Sequence, residues 1–306
     1  MIDLQRIINS RQALTLASVP NGFVPLLLAD LTRAAKTRML YIAPDESAMR
    51  AIADATPFFA PELEILILPG WDCLPYDRAS PSVAVTSQRT ATLQALQQTA
   101  KKKQLVVTTI GAVIQKYVTP FRIRQTGERL AAGRETSRER LASLLQSNGY
   151  FRVDTVADAG EFAIRGSIVD LFPAGSEVGL RLDFFGDEIE SIRRFNPSDQ
   201  RSIDQVEHFD ILPAVEALMD EEAIKRFRTG YRERFGVTAT GDPLYQAVSE
   251  GRRLSGMDHW LPLFEERMAT IFDHVGTDAL VVRDSGAIAA GQSRLDAITD
   301  YHENRV

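Results

Sequence analysis

The middle of this chain carries the feature that most constrains its fold, a run of short segments in which polar and apolar residues alternate. Residues 160–172 read as one extended segment that ends at a proline, and residues 180–185 alternate again. The pair Gly186-Asp187 then precedes the segment 189–195, and such glycine-containing pairs favour a tight hairpin. These features predict a small antiparallel sheet.

Period-2 alternation assigns two faces to the predicted sheet. In segment 180–185 the apolar side chains of Leu180, Leu182 and Phe184 point toward a core. Arg181 and Phe185 point the other way, toward water. A large aromatic side chain on a face that otherwise carries charge is unexpected if that face only needs to be solvated.

The preceding segment extends this pattern. One of its faces carries apolar side chains, those of Phe162, Ile164 and Ile168, and Arg165 lies on the opposite face. If the segments pair, Arg165, Arg181 and Phe185 form one exposed patch, and arginines and aromatics are the residue types that contribute most at protein interfaces. The alternative is an ordinary solvated face, because single exposed aromatics and arginines are common.

The same residues carry a family resemblance. The string GEFAIRGSIVDLFPAGSEVGLRLDFFGDEIESIRRF (160–195) resembles the second domain of bacterial transcription-repair coupling factors (Mfd), which is similar to the module of UvrB that docks onto UvrA. LPGWDCLPYDRASPSVAVTSQRTATLQAL (68–96) resembles the first domain of that family, and YQAVSEGRRLSGMDHWLPLF (245–264) resembles the return into it. Together the similar strings extend over residues 14–285.

The resemblance implies a set of binding residues. Arg165, Arg181 and Phe185 match the UvrA-binding positions of the family. Both arginines are expected to form bidentate pairs with partner carboxylates, and Phe185 is expected to fill an apolar pocket. Three further charged residues are expected at the rim of this site, namely Asp187, Glu188 and Arg193.

The resemblance also implies a function. The chain is expected to be a non-catalytic N-terminal module that recruits UvrA to stalled RNA polymerase for transcription-coupled nucleotide excision repair. In the full-length protein the same face is expected to be held by a C-terminal domain, which gives autoinhibition. RNA polymerase and DNA are expected to bind through domains beyond residue 306, and ATP and Mg²⁺ to belong to the translocase domains, so no cofactor is expected in this chain.

Composition narrows the alternatives. The net charge of −6 over 306 residues argues against a dedicated DNA-binding surface, which usually shows a basic excess. Cys73 is the single cysteine, so an intrachain disulfide is excluded, and the four histidines show no metal-ligand spacing. The sequence shows neither a leader nor a membrane span, and a cytoplasmic location is expected.

Four strands are predicted outside the antiparallel module, at residues 38–43, 63–68, 104–109 and 279–282. Asp45 is the predicted N-cap of the helix that follows the first strand, and residues 260–264 are predicted to be an apolar loop. Within the module, a helix that ends at Gly149 is predicted to begin with Thr136 as its N-cap and Glu139 in the capping-box position.

Alternating strands and helices flank the antiparallel module. They predict an α/β fold with a parallel sheet, of the doubly wound type. With the resemblance, this becomes a degenerate RecA/helicase-like domain into which an α+β module is inserted. The expected division is residues 1–115 for the first part of the α/β domain, 116–213 for the UvrA-binding-like module, and 214–306 for the return.

A phosphate-binding loop is missing from its expected position. The corresponding stretch, Leu16–Leu28, keeps Gly22 but has no lysine, and Pro25 stands where the phosphate-binding helix should begin. We therefore expect no ATP hydrolysis by this chain. The main alternative, a UvrB-like ATP-dependent enzyme that binds damaged DNA, is disfavoured for the same reason.

A third hypothesis is weak, nonspecific DNA binding by a cluster of six arginines: Arg122, Arg124, Arg129, Arg134, Arg138 and Arg140. Glu128, Glu135 and Glu139 are interspersed among them. Mixed charges of this kind are typical of a solvated helix face, so that interpretation is favoured over DNA binding.

Overall fold

The computed structural model describes residues 3–10, 12–236 and 241–304. Contacts divide the chain into two compact units. The first unit comprises Met1–Trp71, Ala95–Pro120 and Ala269–Val306, and the second comprises Asp72–Gln94 and Phe121–Met268. This division differs from the expected one, because residues 72–94 and 214–268 group with the antiparallel module; the three-domain assignment itself stays a prediction.

The first unit contains a four-stranded parallel sheet in the order β12-β1-β3-β2. Its strands are β1 (Met39–Ala43), β2 (Glu64–Leu68), β3 (Gln104–Thr109) and β12 (Leu280–Arg283). Each strand lies within one residue of a predicted one, because short apolar runs closed by turn residues are a strong signal for buried parallel strands. The predicted mixed α/β class with a parallel sheet is confirmed.

Helices accompany the strands of this unit. They are α1 (Leu4–Ile8), α2 (Val24–Ala34), α3 (Glu46–Phe59), α5 (Ile110–Val113), α11 (Ile271–Val275) and α12 (Ala287–Glu303). Asp45 caps α3, as predicted, because its carboxylate accepts a hydrogen bond of 2.8 Å from the backbone N–H of Ala48. Leu28, Met39 and Leu105 are fully buried in the core between helices and sheet.

The lysine-free stretch Leu16–Leu28 has its own local structure. Residues 13–17 are not part of a strand, and a 3-10 helix, Asn21–Phe23, leads directly into α2. Pro25 lies in the first turn of α2, where a missing backbone N–H costs no helical hydrogen bond. The relation of this unit to helicase-like domains stays a proposal.

The second unit is built on a six-stranded sheet in the order β10-β9-β8-β7-β6-β5, with a separate two-stranded sheet of β4 and β11. The strands are β4 (Glu128–Ala131), β5 (Phe151–Arg152), β6 (Glu161–Arg165), β7 (Ile168–Leu171), β8 (Gly179–Phe185), β9 (Glu188–Phe195), β10 (Ser202–Val206) and β11 (His208–Ile211). All pairs in the large sheet are antiparallel except β5 with β6. The predicted antiparallel sheet is confirmed.

The helices of the second unit lie on both sides of these strands in sequence. They are α6 (Pro120–Arg124), α7 (Arg138–Ser147), α8 (Glu221–Phe235), α9 (Pro243–Ser249) and α10 (Leu261–Phe264), together with most of α4 (Val83–Gln97) and a 3-10 helix, Met257–Trp260. The apolar stretch 260–264 was predicted to be a loop, and that prediction is wrong. Among the described residues, no helix is both long and apolar enough to cross a membrane.

One predicted strand is in fact two. Residues 160–172 were predicted as a single extended segment, but Gly166 and Ser167 form a hairpin turn between β6 and β7. Gly166 has a φ of +60°, which is the conformation that glycine supplies at the first position of a tight hairpin. Because the turn shifts the alternation, Ile168 lies opposite Arg165 and Asp183 and not on the face of Phe162.

One face of the six-stranded sheet forms the core of the second unit, and α7 packs on it. Leu180, Leu182 and Phe184 are buried there, as predicted, together with Leu141 and Leu145 of α7. The helix begins one residue later than expected. Ser137, and not Thr136, is its N-cap, since the Ser137 hydroxyl accepts a hydrogen bond of 3.1 Å from the backbone N–H of Arg140.

Helix α4 contacts the loops of the same sheet at close range. A Cβ atom on Gly160 would lie 2.3 Å from Cγ1 of Val83, and one on Gly175 would lie 2.2 Å from Cβ of Ala91. The hydroxyl of Thr90 also donates a hydrogen bond of 2.6 Å to the carbonyl of Pro213. These contacts explain why residues 72–94 group with the antiparallel module.

We expect Gly175→Ala to lower the free energy of unfolding by about 2 kcal/mol or more. Gly175 has a φ of +72°, which costs an L-residue roughly 1–2 kcal/mol, and the added methyl group would overlap Ala91. Gly186→Ala is the matched control. Gly186 has a φ of +63° but no atom within 4 Å of the added Cβ, so only the backbone cost should remain. Urea unfolding measures both, and equal losses would contradict the role of the contact with α4.

Candidate functional site

The candidate site lies on the outer face of the six-stranded sheet, defined as the face opposite α7. Two rows of residues cross this face from strand to strand. One row, in register across five strands, is Ala163, Asp170, Arg181, Arg193 and Gln205, and the other, across four strands, is Arg165, Ile168, Asp183 and Ser191. The face therefore carries positive and negative side chains close together, with neutral residues among them.

Part of the outer face is covered by the chain itself. Val156 is fully buried against Ala163 and Phe195. The amide of Gln200 donates hydrogen bonds to the carbonyls of Val156, at 2.9 Å, and Pro197, at 2.8 Å, and so ties the two covering loops together. The end of the sheet that carries the β6–β7 and β8–β9 turns lies outside this covered part, and we call it the open end of the outer face.

A buried carboxylate lies among the charged side chains of the outer face. The side chain of Asp170 is 0% exposed. Its Oδ1 accepts a hydrogen bond of 2.7 Å from Nε of Arg181, and its Oδ2 accepts one of 2.9 Å from Nη2 of the same residue. Nη2 of Arg165 donates to the same Oδ2. Asp170 thus joins the two arginines predicted for the site.

Arg181 is less accessible than the sequence predicted. Its side chain is 16% exposed, and its planar edge already forms a bidentate pair with Asp170. The guanidinium also lies 4.9 Å from the ring centroid of Phe195, and Nη1 donates to the carbonyl of Gln200 at 3.5 Å. The hydrogen bond with Asp170 raises the pKa of Arg181 above its ordinary value, although burial acts against it.

Arg165 has the geometry expected of a contact residue. Its side chain is 47% exposed, and one Nη nitrogen is anchored by Asp170. Arg165 is the last residue of β6, immediately before the β6–β7 turn, and therefore lies at the open end of the outer face. A guanidinium carries five N–H donors, so a single anchoring bond leaves donors for a carboxylate of a partner.

Phe185 is the most exposed aromatic side chain of the second unit. It is 79% exposed at the end of β8, while its neighbour Phe184 is buried on the core face. The backbone N–H of Phe184 donates to the carbonyl of Ser167 at 2.9 Å, so the β6–β7 turn lies beside the end of β8. Arg165 and Phe185 each end a strand at the open end of the sheet. Their strands, β6 and β8, are separated by β7 alone and so lie roughly 10 Å apart.

The hairpin that presents Phe185 is braced. The segment 133–136 forms three backbone hydrogen bonds with residues of the β8–β9 turn. The N–H of Thr136 donates to the carbonyl of Asp187 at 2.7 Å. The N–H of Gly133 donates to the carbonyl of Ile189 at 2.8 Å, and the N–H of Ile189 donates to the carbonyl of Arg134 at 3.0 Å. Phe185 is therefore presented by a supported turn.

The three predicted rim residues differ in their surroundings. Asp187 is exposed in the turn that follows Phe185, and Glu188 is exposed at the start of β9. Arg193 is 41% exposed along its side chain and forms an ion pair with Asp183, whose carboxylate also accepts a hydrogen bond of 3.2 Å from Ser191. The structure thus places all six predicted site residues on β6, β8, β9 and the connecting turn.

Sequence reasoning missed Asp170. The sequence does contain a signal, because Asp170 is a charged residue within the apolar run IVDLF, and aspartate is rarely buried unless it is paired. The run was predicted as the continuation of the preceding strand, so the possible pairing across a turn was not considered. The pairing of Asp170 with Arg165 and Arg181 is visible only in the register of the folded sheet.

The arginines considered for DNA binding are mostly engaged within the second unit. Arg122 pairs with Asp220, Arg129 with Asp210 and Arg134 with Glu128, and Arg138 donates to the carbonyl of Gly166. The bond with Arg129 lowers the pKa of Asp210, opposed by partial burial. These ion pairs neutralise much of the positive charge of the arginine cluster.

Comparison with protein families identifies the class to which the antiparallel module belongs. Residues 129–216 match the model of the UvrB interaction domain. This range contains strands β5 to β11, helix α7 and all but the first residue of β4, and with them every residue of the candidate site. This part of the chain is therefore similar to a UvrB interaction domain.

The similarity to transcription-repair-coupling factors is longer. The chain is 32% identical to the factor of Haemophilus influenzae over 268 residues, 33% to that of Escherichia coli over 274, and 34% to that of Myxococcus xanthus over 260. These alignments cover 87%, 89% and 81% of this chain but only 23%, 24% and 21% of the relatives. The resemblance predicted from sequence is confirmed, and it is consistent with the N-terminal region of that family. The chain spans about a quarter of the length of these relatives.

Proposed function

We propose that this chain is a non-catalytic recruitment module that binds UvrA in transcription-coupled nucleotide excision repair. The observation that carries the proposal is the juxtaposition of Arg165 and Phe185, one half exposed and one 79% exposed, at one end of the outer face. The match of residues 129–216 to the UvrB interaction domain supports the same partner.

The two contact residues suit different parts of an interface. Phe185 offers an aromatic ring that an apolar pocket can bury, and buried aromatic anchors are frequent hot spots. Arg165 offers guanidinium donors to a carboxylate of the partner. Asp187, Glu188 and Arg193 lie around them as rim charges, whose main effect is expected on the rate of association.

The relatives are about four times as long as the aligned region, and this gives the proposal a second part. In an intact coupling factor, a C-terminal domain covers the outer face until the protein engages RNA polymerase. Engagement with polymerase and DNA, and the hydrolysis of ATP, belong to those further domains. Within this chain, the lysine-free stretch Leu16–Leu28 supports a non-catalytic role.

Calorimetric titration with purified UvrA tests the proposal. We expect micromolar or tighter binding by this chain and a loss of about 30-fold or more for Arg165→Glu, because the reversed charge would repel the partner carboxylate. Arg194→Glu is the matched control, since Arg194 is also exposed and paired, with Asp204, but outside the site. The intact, resting protein should bind UvrA more weakly than this chain.

Three results would count against the proposal. Absence of binding by the wild-type chain would remove the function. Equal losses for Arg165→Glu and Arg194→Glu would move the interface away from the open end of the outer face. Equal affinity of the chain and the intact, resting protein would remove the autoinhibitory part alone.

A further inference from the structure

A buried charge lies beneath the candidate site. Asp170 is a carboxylate with no exposed surface, and a buried charge is costly unless it is paired and hydrogen-bonded. Asp170 meets this condition with three guanidinium N–H groups, two from Arg181 and one from Arg165. Residues of the site itself thus supply three hydrogen bonds to the carboxylate.

The two arginines use Asp170 in different ways. Arg181 covers the edge formed by both carboxylate oxygens, and its Nη1 and ring contacts point to Gln200 and Phe195. Arg165 shares only Oδ2, through one Nη nitrogen. Arg181 therefore fixes the carboxylate, and the carboxylate in turn fixes Arg165.

This arrangement reduces the freedom of a long side chain before a partner arrives. An exposed arginine carries large rotamer entropy, which must be lost when it forms a defined contact. A guanidinium anchored at one nitrogen presents its remaining donors in a restricted orientation. Because the anchor is buried, solvent and salt compete with it less than with a surface pair.

We propose that Asp170 and Arg181 are a positioning pair that orients Arg165 toward a carboxylate of the partner, so that Arg181 itself contributes little direct contact. This inference rests on the proposed function. It assigns Asp170 a role in binding although Asp170 is not accessible to any partner, and it separates two arginines that the sequence treated as equivalent.

The sign of one substitution tests the inference. Asp170→Asn keeps the size of the side chain but removes a negative charge from beneath a face proposed to bind partner carboxylates. If Asp170 acted only through its charge, the variant would bind UvrA more tightly. We expect the opposite, a loss of affinity of about tenfold or more, because the charged hydrogen bond that orients Arg165 is weakened.

Asp183→Asn is the matched control. Asp183 is a carboxylate on the same outer face and pairs with Arg193 and Ser191, not with Arg165. Its substitution removes the same charge from the same face but leaves the anchor of Arg165 intact. Because its partner Arg193 is a rim residue, we expect a change in the association rate at most, with the affinity unchanged or slightly increased. Equal losses for both variants would overturn the inference.

A second variant covers the case in which Asp170→Asn folds poorly. The double variant Asp170→Asn with Arg181→Met removes both buried charges together, which a core tolerates better than removal of one. We expect it to melt cooperatively and still to bind UvrA at least about tenfold more weakly, since Arg165 loses its anchor.

A double-mutant cycle separates positioning from a general structural effect. In the background of Arg165→Ala, the further change Asp170→Asn should cost almost nothing, whereas in the background of Phe185→Ala it should keep its full effect. Full effects in both backgrounds would overturn the inference. If the wild type binds but Asp170→Asn does not weaken binding, the inference falls alone; if the wild type does not bind, the proposed function falls with it.

Discussion

Glu216→Ala is expected to lower the free energy of unfolding by about 3–5 kcal/mol, the largest loss of stability predicted for this chain. Glu216 and Arg89 are 1% and 0% exposed along their side chains. Oε1 of Glu216 accepts a hydrogen bond of 2.5 Å from Nε of Arg89, and Oε2 accepts one of 3.3 Å from Nη2. Removal of the carboxylate would leave a buried guanidinium whose charge is no longer balanced by Glu216.

The pair also connects distant parts of the second unit. Arg89 lies in α4 and Glu216 follows the antiparallel module, 127 residues later in the chain. Thr86 and Thr90 of the same helix donate hydrogen bonds to the carbonyls of Ala214, at 2.8 Å, and Pro213, at 2.6 Å. Loss of the pair should therefore loosen the attachment of α4 along its length.

Urea unfolding of two comparison variants checks this prediction. Arg194→Ala removes a surface pair whose side chains are 44% and 43% exposed, and we expect a cost of at most about 1 kcal/mol. Arg89→Met combined with Glu216→Leu removes both buried charges, and we expect a smaller cost than for Glu216→Ala alone. A cost below about 1 kcal/mol for Glu216→Ala would show that the buried charge is compensated by other means.

The sequence predicts those parts of the fold that depend on local pattern. Strands β1 to β3 are short apolar runs closed by turn residues, and they were located to within a residue. The segment 180–185 alternates, and its predicted core and solvent faces are confirmed by the burial of Leu182 and the exposure of Phe185. In these segments a single periodicity determines the structure.

Features that depend on pairing between strands could not be predicted. Glu190 forms a bulge in β9, since Asp183 pairs with Ser191 but Phe184 pairs with Ile189. The turn at Gly166 has a similar effect on β7, because one shifted position reverses every following side chain. No local signal fixes such a register.

The burial of charged side chains could not be predicted either. Arg89 stands among polar residues of a helix and would be assigned to a solvated face, but its carboxylate partner lies far away in the chain. Arg181 was predicted to be exposed for the same reason, and its 16% exposure follows from Asp170 and Phe195. Such pairs are tertiary features, so they are visible only in the folded structure.

Phe185→Ala is expected to produce a large loss of binding with almost no loss of stability. Because the side chain is 79% exposed, its removal should change the free energy of unfolding by no more than about 0.5 kcal/mol. If the ring fills an apolar pocket of UvrA, binding should weaken by about 2 kcal/mol or more, which corresponds to roughly 30-fold.

Phe151→Ala is the matched control for this prediction. Phe151 is also an exposed aromatic residue of the same sheet, 51% exposed, but it lies on the edge strand β5 opposite Glu161, at the other end of β6 from Arg165. Calorimetric titration of both variants against UvrA separates a specific anchor from general exposure of aromatic surface. Similar affinities for the two variants would mean that Phe185 is not the anchor, whereas a selective loss for Phe185→Ala would locate the centre of the interface at the end of β8, where the braced hairpin holds the ring in place before the partner binds.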